Sequence, residues 1–338
     1  MKAEGIKAAI TYFNKFITTK EDKEKSFVKV ETCEIDKTPY LFLSCFKNEI
    51  GLRYRIELEE SEFFPFVGAV INAELQKIMK TIKKSDDIKL SIEDNFLVIS
   101  LIEEFGRIEL KKAKPMIYNW EKKGIVLKDF WDNVMPMHKE IYRKSLYEIS
   151  NYLFFQLNDN CIQTVNTNEA ILVFNTMQAE ILQNISFGIS HSSISWLLRW
   201  SSLSKQDEFI ISTNSQNVSF CDEKAEIIFK LFENKEQVEI FINALKNLST
   251  INERDEDYNS SDWNDIETID INTEDTTVDI QHVRVYKKFL ENILEFSGLS
   301  YQLSSSENKP IIFEKDDEDT YLKVLLLPID KNKQKRVG

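Results

Sequence analysis

Glycine, proline, cysteine and long apolar runs are scarce in this chain, and each shortage excludes a class of protein. The sequence has 8 Gly and 6 Pro, too few for glycine-rich phosphate loops, collagen-like repeats or long flexible linkers. The 4 Cys are dispersed without a C-x-x-C pair, so we expect reduced core thiols rather than a disulfide frame or a zinc site. No apolar run reaches the roughly 18 residues of a membrane helix, and the N-terminal lysines are spaced too evenly for a signal peptide. These features predict a soluble, cytoplasmic protein without a membrane partner.

The sequence also lacks the familiar catalytic motifs. It has no G-x-S-x-G, no Walker loop and no H-E-x-x-H, and its histidines, His138, His191 and His282, are far apart. His191 begins a predicted helix, where we expect a polar cap. Consecutive carboxylates at 255–257 and 316–319 leave open an acidic enzyme with a carboxylate metal site, although such runs rarely converge on one ion. We therefore expect no enzymatic activity, no cofactor and no metal.

Net charge bears on nucleic-acid binding, and chain length bears on the number of domains. The 338 residues include 56 acidic and 43 basic side chains, a net charge of −13, which argues against simple nucleic-acid binding. Where the bases lie matters more than this sum. The chain is 42% hydrophobic and includes 23 Phe, enough apolar surface for two or three domains.

A helix followed by a strand pair recurs three times along the chain. In each copy an apolar helix residue precedes an apolar strand residue by 13 positions. The copies are Asn72–Leu101 with Leu75 and Ile88, His191–Phe220 with Trp196 and Phe209, and Tyr286–Lys315 with Leu290 and Leu303. They share a pattern and few identities, as expected of a repeated supersecondary unit that has diverged.

The remaining segments complete three rounds of helices and strands. Helical periods predict helices at 3–18, 130–146 and 238–249. Strands are predicted at 26–35, 38–46, 51–59, 106–113, 149–157, 161–167, 170–177, 181–189, 225–233, 278–285 and 321–329. The stretch 115–124 is interpreted as a connector, and 252–277 as a solvated acidic loop with room for a strand or two.

Three β-rich rounds with two helices each resemble the bacterial DNA polymerase III beta subunit, the sliding clamp family, over nearly the whole chain. The resemblance implies a diverged member with an α+β DNA-clamp fold, in which three repeated domains each pack two helices on antiparallel sheets. It places the domains at 1–117, 125–235 and 236–330, followed by a mobile basic tail at 331–338. It further implies a homodimeric, head-to-tail ring that encircles duplex DNA and binds a polymerase and a clamp loader.

Basic residues test the resemblance independently, because such a ring needs positive charge on the helices that line its hole. They lie on or just after the predicted helices, at Lys7, Lys15, Lys77, Lys80, Lys83, Lys84, Arg143, Lys144, Arg199, Lys205, Lys246, Lys287 and Lys288. Acids concentrate instead at 57–62, 252–277 and 314–320. Phosphate contacts of this kind do not read sequence, so a ring could slide. A solvated helix face is the alternative interpretation.

The resemblance also implies an apolar pocket for partner peptides between the second and third domains. Thr167 and Leu172 fit the family's pocket segment, whereas its Gly-His-Arg is replaced by Glu169, Ala170 and Ile171. The implied pocket consists of Ile149, Thr167, Leu172, Leu325, Leu327, Pro328 and Ile329. An aliphatic cleft suits an extended peptide whose side chains enter it. Two ordinary core strands are the alternative.

Ring closure would need the edge strand around Ile108 and Leu110 to pair with the third domain of a partner subunit. Two departures from the family bear on this step. The Phe-Pro-Asp linker before the third domain is absent, and the first half of that domain is short. A second hypothesis therefore stays open, a diverged clamp-fold interaction protein that does not close around DNA.

Overall fold

The structure is a computed structural model. It describes residues 1–17, 22, 25–47, 50–101, 104–115, 120–128, 131, 135–140, 151–168, 170–232, 235–258, 263–266, 269, 271, 275–296, 298–317 and 320–329. The chain divides into two compact units: unit 1 is Met1–Glu121 with Ser212–Lys230, and unit 2 is Lys122–Ile211 with Leu231–Gly338. No helix in these ranges is long and apolar enough to span a bilayer.

Helices and antiparallel strands alternate along both units. The helices are α1 (Ala3–Phe16), α2 (Asn72–Thr81), α3 (Met135–Glu140), α4 (Ile194–Leu203), α5 (Lys235–Ser249), α6 (Ile251–Arg254) and α7 (Lys287–Leu294). The strands are β1 (Phe27–Ile35), β2 (Thr38–Lys47), β3 (Ile50–Glu57), β4 (Val67–Ile71), β5 (Lys89–Glu93), β6 (Phe96–Ser100), β7 (Glu104–Glu109), β8 (Glu121–Leu127), β9 (Tyr152–Asn158), β10 (Cys161–Thr167), β11 (Ile171–Gln178), β12 (Glu180–Ile181), β13 (Ile185–Ser190), β14 (Glu208–Thr213), β15 (Asn217–Cys221), β16 (Ala225–Lys230), β17 (Trp263–Asp265), β18 (Thr277–Ile280), β19 (Val283–Tyr286), β20 (Ser300–Gln302), β21 (Ile311–Asp317) and β22 (Thr320–Leu326).

Unit 1 is built on a sheet in which β15, β16, β3, β2, β1 and β4 are neighbours in that order. A second sheet has the order β5-β6-β7. The apolar stripe of α1, with Ile6 and Phe13 nearly inaccessible, forms part of the core. The helices α1 and α2 are joined where the Gln76 amide donates to Asn14 Oδ1 at 3.0 Å. Two strands from the predicted second domain, β15 and β16, thus extend the sheet of the first.

Unit 2 contains a sheet of order β13-β9-β10-β11-β22-β21-β20-β17, and both of its faces are covered. On one face Leu172 and Leu325 pack with Val238 and Ile242 of α5. On the other, the next residues along β11 and β22 pack with α7 and with the hairpin β18–β19. Burial on both faces explains why ILVF in β11 and VLL in β22 are continuous apolar runs rather than alternating ones. The β11–β22 pairing joins strands of the predicted second and third domains in one sheet.

Two hairpins turn without glycine. Asp36 and Lys37 connect β1 to β2 with φ values of 50° and 68°, and Asp159 and Asn160 connect β9 to β10 with 48° and 61°. Both central residues of such two-residue turns adopt left-handed conformations, in which Asp and Asn are tolerated better than most residues. A chain with 8 Gly can therefore still form tight hairpins.

The predicted elements largely match the structure, and the differences include the start of β8 and the hairpin at 278–285. Residues 121–124 were assigned to a connector, but they begin strand β8, which pairs with β12. The run 278–285 is a hairpin rather than one strand, because Gln281 turns the chain with a φ of 53°. Within the acidic segment, Trp263–Asp265 forms β17 on β20. Each repeat copy has its helix and strand pair, whereas the predicted domain boundaries stay a prediction.

Candidate nucleic-acid interface and partner pocket

In unit 1, predicted DNA-binding lysines lie on the outer sides of α1 and α2 and in the turn after α2. Lys15, Lys77, Lys80, Lys83 and Lys84 are exposed, and Lys7 is half-buried. Among the residues that the structure describes, none of these six lysines forms an ion pair. Their charges are therefore available to phosphate oxygens.

The turn after α2 is fixed against the start of α1. The N–H groups of Ala3 and Glu4, which have no helical acceptor, donate to the carbonyls of Asp86 and Lys84 at 3.0 and 3.1 Å. Within the turn, the Lys83 N–H donates to Asp86 Oδ2 at 2.8 Å. These bonds hold Lys83 and Lys84 beside the start of α1. The six lysines of α1, α2 and this turn are hereafter called the unit 1 basic patch.

Unit 2 presents a less uniform set of bases. Arg199, Lys205 and Lys288 are exposed, and Lys287 is half-buried with its ammonium 3.6 Å from Glu291. Lys246 differs, because its ammonium donates to Gln156 Oε1 of β9 and burial lowers its pKa. Arg143 and Lys144 lie outside the described residues.

The exposed face of α5 is acidic and apolar rather than basic. It presents Glu236 and Glu239 together with Ile240 and Leu248, which are 63% and 50% exposed. Lys246 is the basic side chain of α5 that the structure describes, and its contact with Gln156 holds it against the sheet. The described part of α5 therefore offers little to a phosphate backbone.

The predicted pocket residues come together in unit 2 at the ends of β10, β11 and β22. Leu172 and Leu325 face each other across the β11–β22 ladder and are 4% and 3% exposed beneath α5. Leu327 is 38% exposed, and Pro328 and Ile329 are half-buried. Leu172 and Leu325 are thus covered by α5, and the residues after β22 form an accessible apolar rim. Ile149 lies outside the described residues.

Hydrogen bonds fix the shape of this rim. The Thr167 hydroxyl donates to the carbonyl of Ile171 at 2.9 Å, and Asn168 Oδ1 accepts the N–H groups of Ala170 and Ile171 at 2.8 and 3.0 Å. The N–H of Leu327 then donates to the carbonyl of Ala170 at 2.8 Å. The family resemblance gave Thr167, but not Asn168 or the α5 residues Val238 and Ile242. The signal for Val238 and Ile242 is the 3.6-residue apolar period of α5.

The predicted subunit interface contains an open strand edge. Among the strands that the structure describes, β7 has one neighbour, β6, and Lys111 just beyond it bridges to Ala69 of β4. Ile108 is 1% exposed, so its side chain belongs to the core of unit 1. Leu110 lies so close to Gly68 that a Cβ there would be 2.5 Å from its Cδ2. Pairing with a second subunit would therefore use the main chain of β7 more than these two side chains.

The residues considered for enzymatic chemistry have structural partners. Asp255 and Asp257 both contact the Lys309 ammonium, the second at 2.6 Å. The described residues contain no group of three His, Cys, Asp or Glu side chains placed to hold a metal ion. His191 was expected to cap a helix, and this was wrong: it is buried, and its Nε2–H donates to the main-chain carbonyl of His138 at 2.6 Å.

Solved structures of bacterial clamps share this fold along almost the entire chain. The chain matches the DNA polymerase III subunit beta from Pseudomonas aeruginosa at 13% identity and a TM-score of 0.64, covering 97% of this chain and 98% of that one. A Helicobacter pylori beta clamp matches at 15% identity and a TM-score of 0.63 over 98% and 99%. Another structure of that clamp, bound to a DNA ligase peptide, matches at 14% and 0.59 over the same shares.

Sequence comparison finds nothing of this kind, since no protein-family model and no curated protein matches the chain. Conservation of fold without detectable sequence similarity agrees with the repeat copies, which keep a pattern of elements and few identities. The predicted fold class is confirmed: this chain has the α+β DNA-clamp fold.

Proposed function

We propose that the protein is a DNA sliding clamp, a polymerase processivity factor that closes as a head-to-tail homodimer around duplex DNA. The observation that carries this proposal is the clamp fold, which spans 97–98% of this chain and 98–99% of the matched clamps. A fold alone does not determine function, so the site must supply the chemistry. In this proposal the unit 1 basic patch supplies that chemistry. Its ammonium groups attract phosphates, and this attraction requires no contact with the bases.

Holding DNA in this way needs no catalytic residue. Ammonium groups attract phosphates and release condensed counterions, and this attraction is independent of base sequence. A closed ring then keeps the protein on DNA by topology while weak contacts let it slide. A polymerase and a clamp loader would bind through the rim formed by Thr167, Leu327, Pro328 and Ile329, because apolar side chains there can receive a short extended peptide.

Charge reversal in the unit 1 basic patch tests the DNA contact. We expect Lys80→Glu with Lys83→Glu to shorten retention on nicked circular DNA at least fivefold, because two attractive phosphate contacts become repulsive. Both residues are exposed, so the fold should be unaffected. The matched control is Lys37→Glu with Lys224→Glu, which makes the same charge change on exposed turns of unit 1. Rings can be formed by diluting and reconcentrating the protein with the circle, and retention measured by gel filtration.

Two outcomes would contradict the proposal. Equal retention of the test and control variants would remove the role of the patch. Unchanged retention after the circle is linearised would remove topological enclosure, since a sliding ring leaves through free ends.

A single substitution tests the partner pocket. Leu327→Asp should weaken binding of a clamp-binding peptide, such as that of a clamp-dependent DNA ligase, at least tenfold, because a carboxylate on the rim would have to be desolvated. Leu182→Asp is the matched control, since Leu182 is also exposed and lies in a turn of unit 2 away from this rim. Fluorescence anisotropy of the labelled peptide measures both. Similar affinities for the two variants would place peptide binding elsewhere.

The face of α5 favours a second candidate function, a clamp-fold interaction protein that does not enclose DNA. Glu236, Glu239 and the exposed Ile240 and Leu248 suit a protein partner better than a phosphate backbone. Light scattering after size exclusion separates the two candidates. A dimer at micromolar concentration favours the ring, and a monomer favours the interaction protein.

A further inference from the structure

Unit 1 contains an apolar cavity that neither the DNA contact nor the partner pocket uses. Its volume is about 610 Å³, and its walls include Leu41, Leu58, Phe63, Phe64 and the consecutive residues Lys89–Ile92. This volume lies within the roughly 300–1,000 Å³ of ordinary ligand sites. The cavity is thus large enough for several side chains of a bound molecule.

The cavity runs along the edge of a β-strand rather than over one face of it. Side chains of successive strand residues point to opposite faces of a sheet. A cavity that touches four consecutive residues of β5 must therefore reach the strand from its side. On its other side β5 pairs with β6, and among the strands that the structure describes it has no second neighbour. Its outer edge thus presents main-chain N–H and C=O groups toward an apolar space.

Main chain already pairs with this edge just before β5. Lys2 forms an antiparallel bridge with Asp87. The N–H of Ile88 donates to the carbonyl of Met1 at 2.9 Å, and the Met1 nitrogen donates back to the Ile88 carbonyl at 3.1 Å. The geometry of the edge is therefore suited to an antiparallel strand, and the next positions along it are those that line the cavity.

The rim of the cavity carries charges of both signs, since the exposed Lys89 lines it together with two carboxylates. Glu62 and Asp87 line it, and the exposed Glu59 and Glu60 precede Glu62 on the same segment. Glu62 and Asp87 are paired with the Met1 nitrogen and with Lys2. Glu59 and Glu60 form no ion pair with any residue that the structure describes. A ligand with basic residues beside its apolar ones would complement Glu59 and Glu60.

We propose that the edge of β5 is a second peptide-binding site, which takes an extended segment of a partner protein. The segment adds as an antiparallel strand on Lys89–Glu93. Its alternate apolar side chains enter the cavity, and its flanking lysines or arginines meet Glu59 and Glu60. Main-chain hydrogen bonds supply affinity in this mode of recognition, and the side-chain cavity supplies specificity. The site shares no residue with the rim at Thr167 and Leu327.

Three synthetic peptides test this site, with any affinity tag placed at the C-terminus because residues before Met1 would run along β5. The first, acetyl-KKLTLTLKK-amide, has alternating leucines and basic flanks. The second, acetyl-KKLLLTTKK-amide, has the same composition in a different order, and the third, acetyl-EELTLTLEE-amide, reverses the charge. We expect the first to bind with a micromolar dissociation constant and the others at least tenfold more weakly by calorimetry. Hydrogen exchange should slow at the amides of Leu90 and Ile92, which face the same edge as Ile88, when the first peptide binds.

Two tryptophan variants locate the binding. Ser61 lines the cavity from an exposed position, so Ser61→Trp should fill its mouth and weaken the first peptide at least tenfold. Ser215→Trp, at an exposed turn of the same unit, should bind as the unmodified protein does. Equal affinities for all three peptides, no protection of β5, or equal affinities for the two variants would each overturn the proposal.

Discussion

Acidification from about pH 7 to about pH 5 is expected to destabilise unit 2 by several kcal/mol, because two buried histidines stay neutral in the folded chain and take up protons when it unfolds. Burial lowers the pKa of both His138 and His191 to about 4, from an ordinary value of 6.5. Between these values the unfolded chain binds more protons than the folded one, so stability falls as pH falls. The shift corresponds to roughly 2 kcal/mol for each histidine by pH 5.

The hydrogen bonds of His138 match a neutral ring. Its Nδ1–H donates to Asn166 Oδ1 at 2.5 Å, and its Nε2 accepts from the Thr164 hydroxyl at 2.9 Å. Its main-chain carbonyl accepts the Nε2–H of His191 at 2.6 Å. The pair therefore fastens α3 to β10 and to the segment that begins α4. Protonation would place positive charge in a site that offers no carboxylate among these contacts.

Urea unfolding followed by tryptophan fluorescence should show the midpoint falling steadily from about pH 6.5 toward about pH 4. The two rings should also keep neutral-form NMR shifts until about pH 4, and three histidines in all make assignment simple. His138→Gln with His191→Gln should flatten the pH dependence even if it lowers stability overall. His282→Gln is the control, since His282 is exposed. An equal slope in the double variant and the unmodified protein would refute the assignment.

Removal of one partner of the buried Arg53–Glu226 pair is expected to cost about 3–5 kcal/mol of stability, because it breaks a charge pair that lies largely out of water. The Arg53 Nε–H donates to Glu226 Oε2, and the side chains are 5% and 12% exposed. The guanidinium also lies over Phe42 and Trp120, 5.4 and 5.6 Å from their ring centres. The two residues face each other where β16 joins β3, so the pair fixes this junction.

Thermal unfolding of Glu226→Leu should show this loss as a lower midpoint. Arg53→Met combined with Glu226→Leu should recover most of it, because an apolar pair needs no compensating charge. Glu93→Leu is the control, since Glu93 pairs with Arg107 at 2.5 Å where the side chains are 49% and 44% exposed. Exposed pairs contribute roughly 1 kcal/mol or less. If Glu226→Leu costs no more than the control, the pair is not a buried electrostatic contact.

Local patterns in the sequence predicted most elements because each pattern lies within one segment. The period of α1 and the alternation in β1, β2 and β3 can be read directly, and the bounds of β10 were predicted to the residue. Strand β8 was missed because it starts in a stretch interpreted as a connector, and its partner β12 is distant in sequence. Short strands with remote partners carry little local signal.

The candidate site was predicted less completely, because burial and pairing depend on remote segments. The exposed lysines of α2 follow from its amphipathic period. Nothing near Lys246 indicates that its ammonium contacts Gln156, 90 positions away. Leu172 and Leu325 were assigned to an open pocket, but only the packing of α5 shows that they lie beneath the surface. That part of the assignment required the fold.

The pairing of β11 with β22 limits how the coding sequence could be truncated or recombined. A gene truncated near codon 235 would leave β11 with a bare edge and would expose Phe154, Leu172 and Phe174 to water. The last two repeats therefore cannot be lost, exchanged or fused to another protein one at a time. Recombination would preserve solubility only by moving both together.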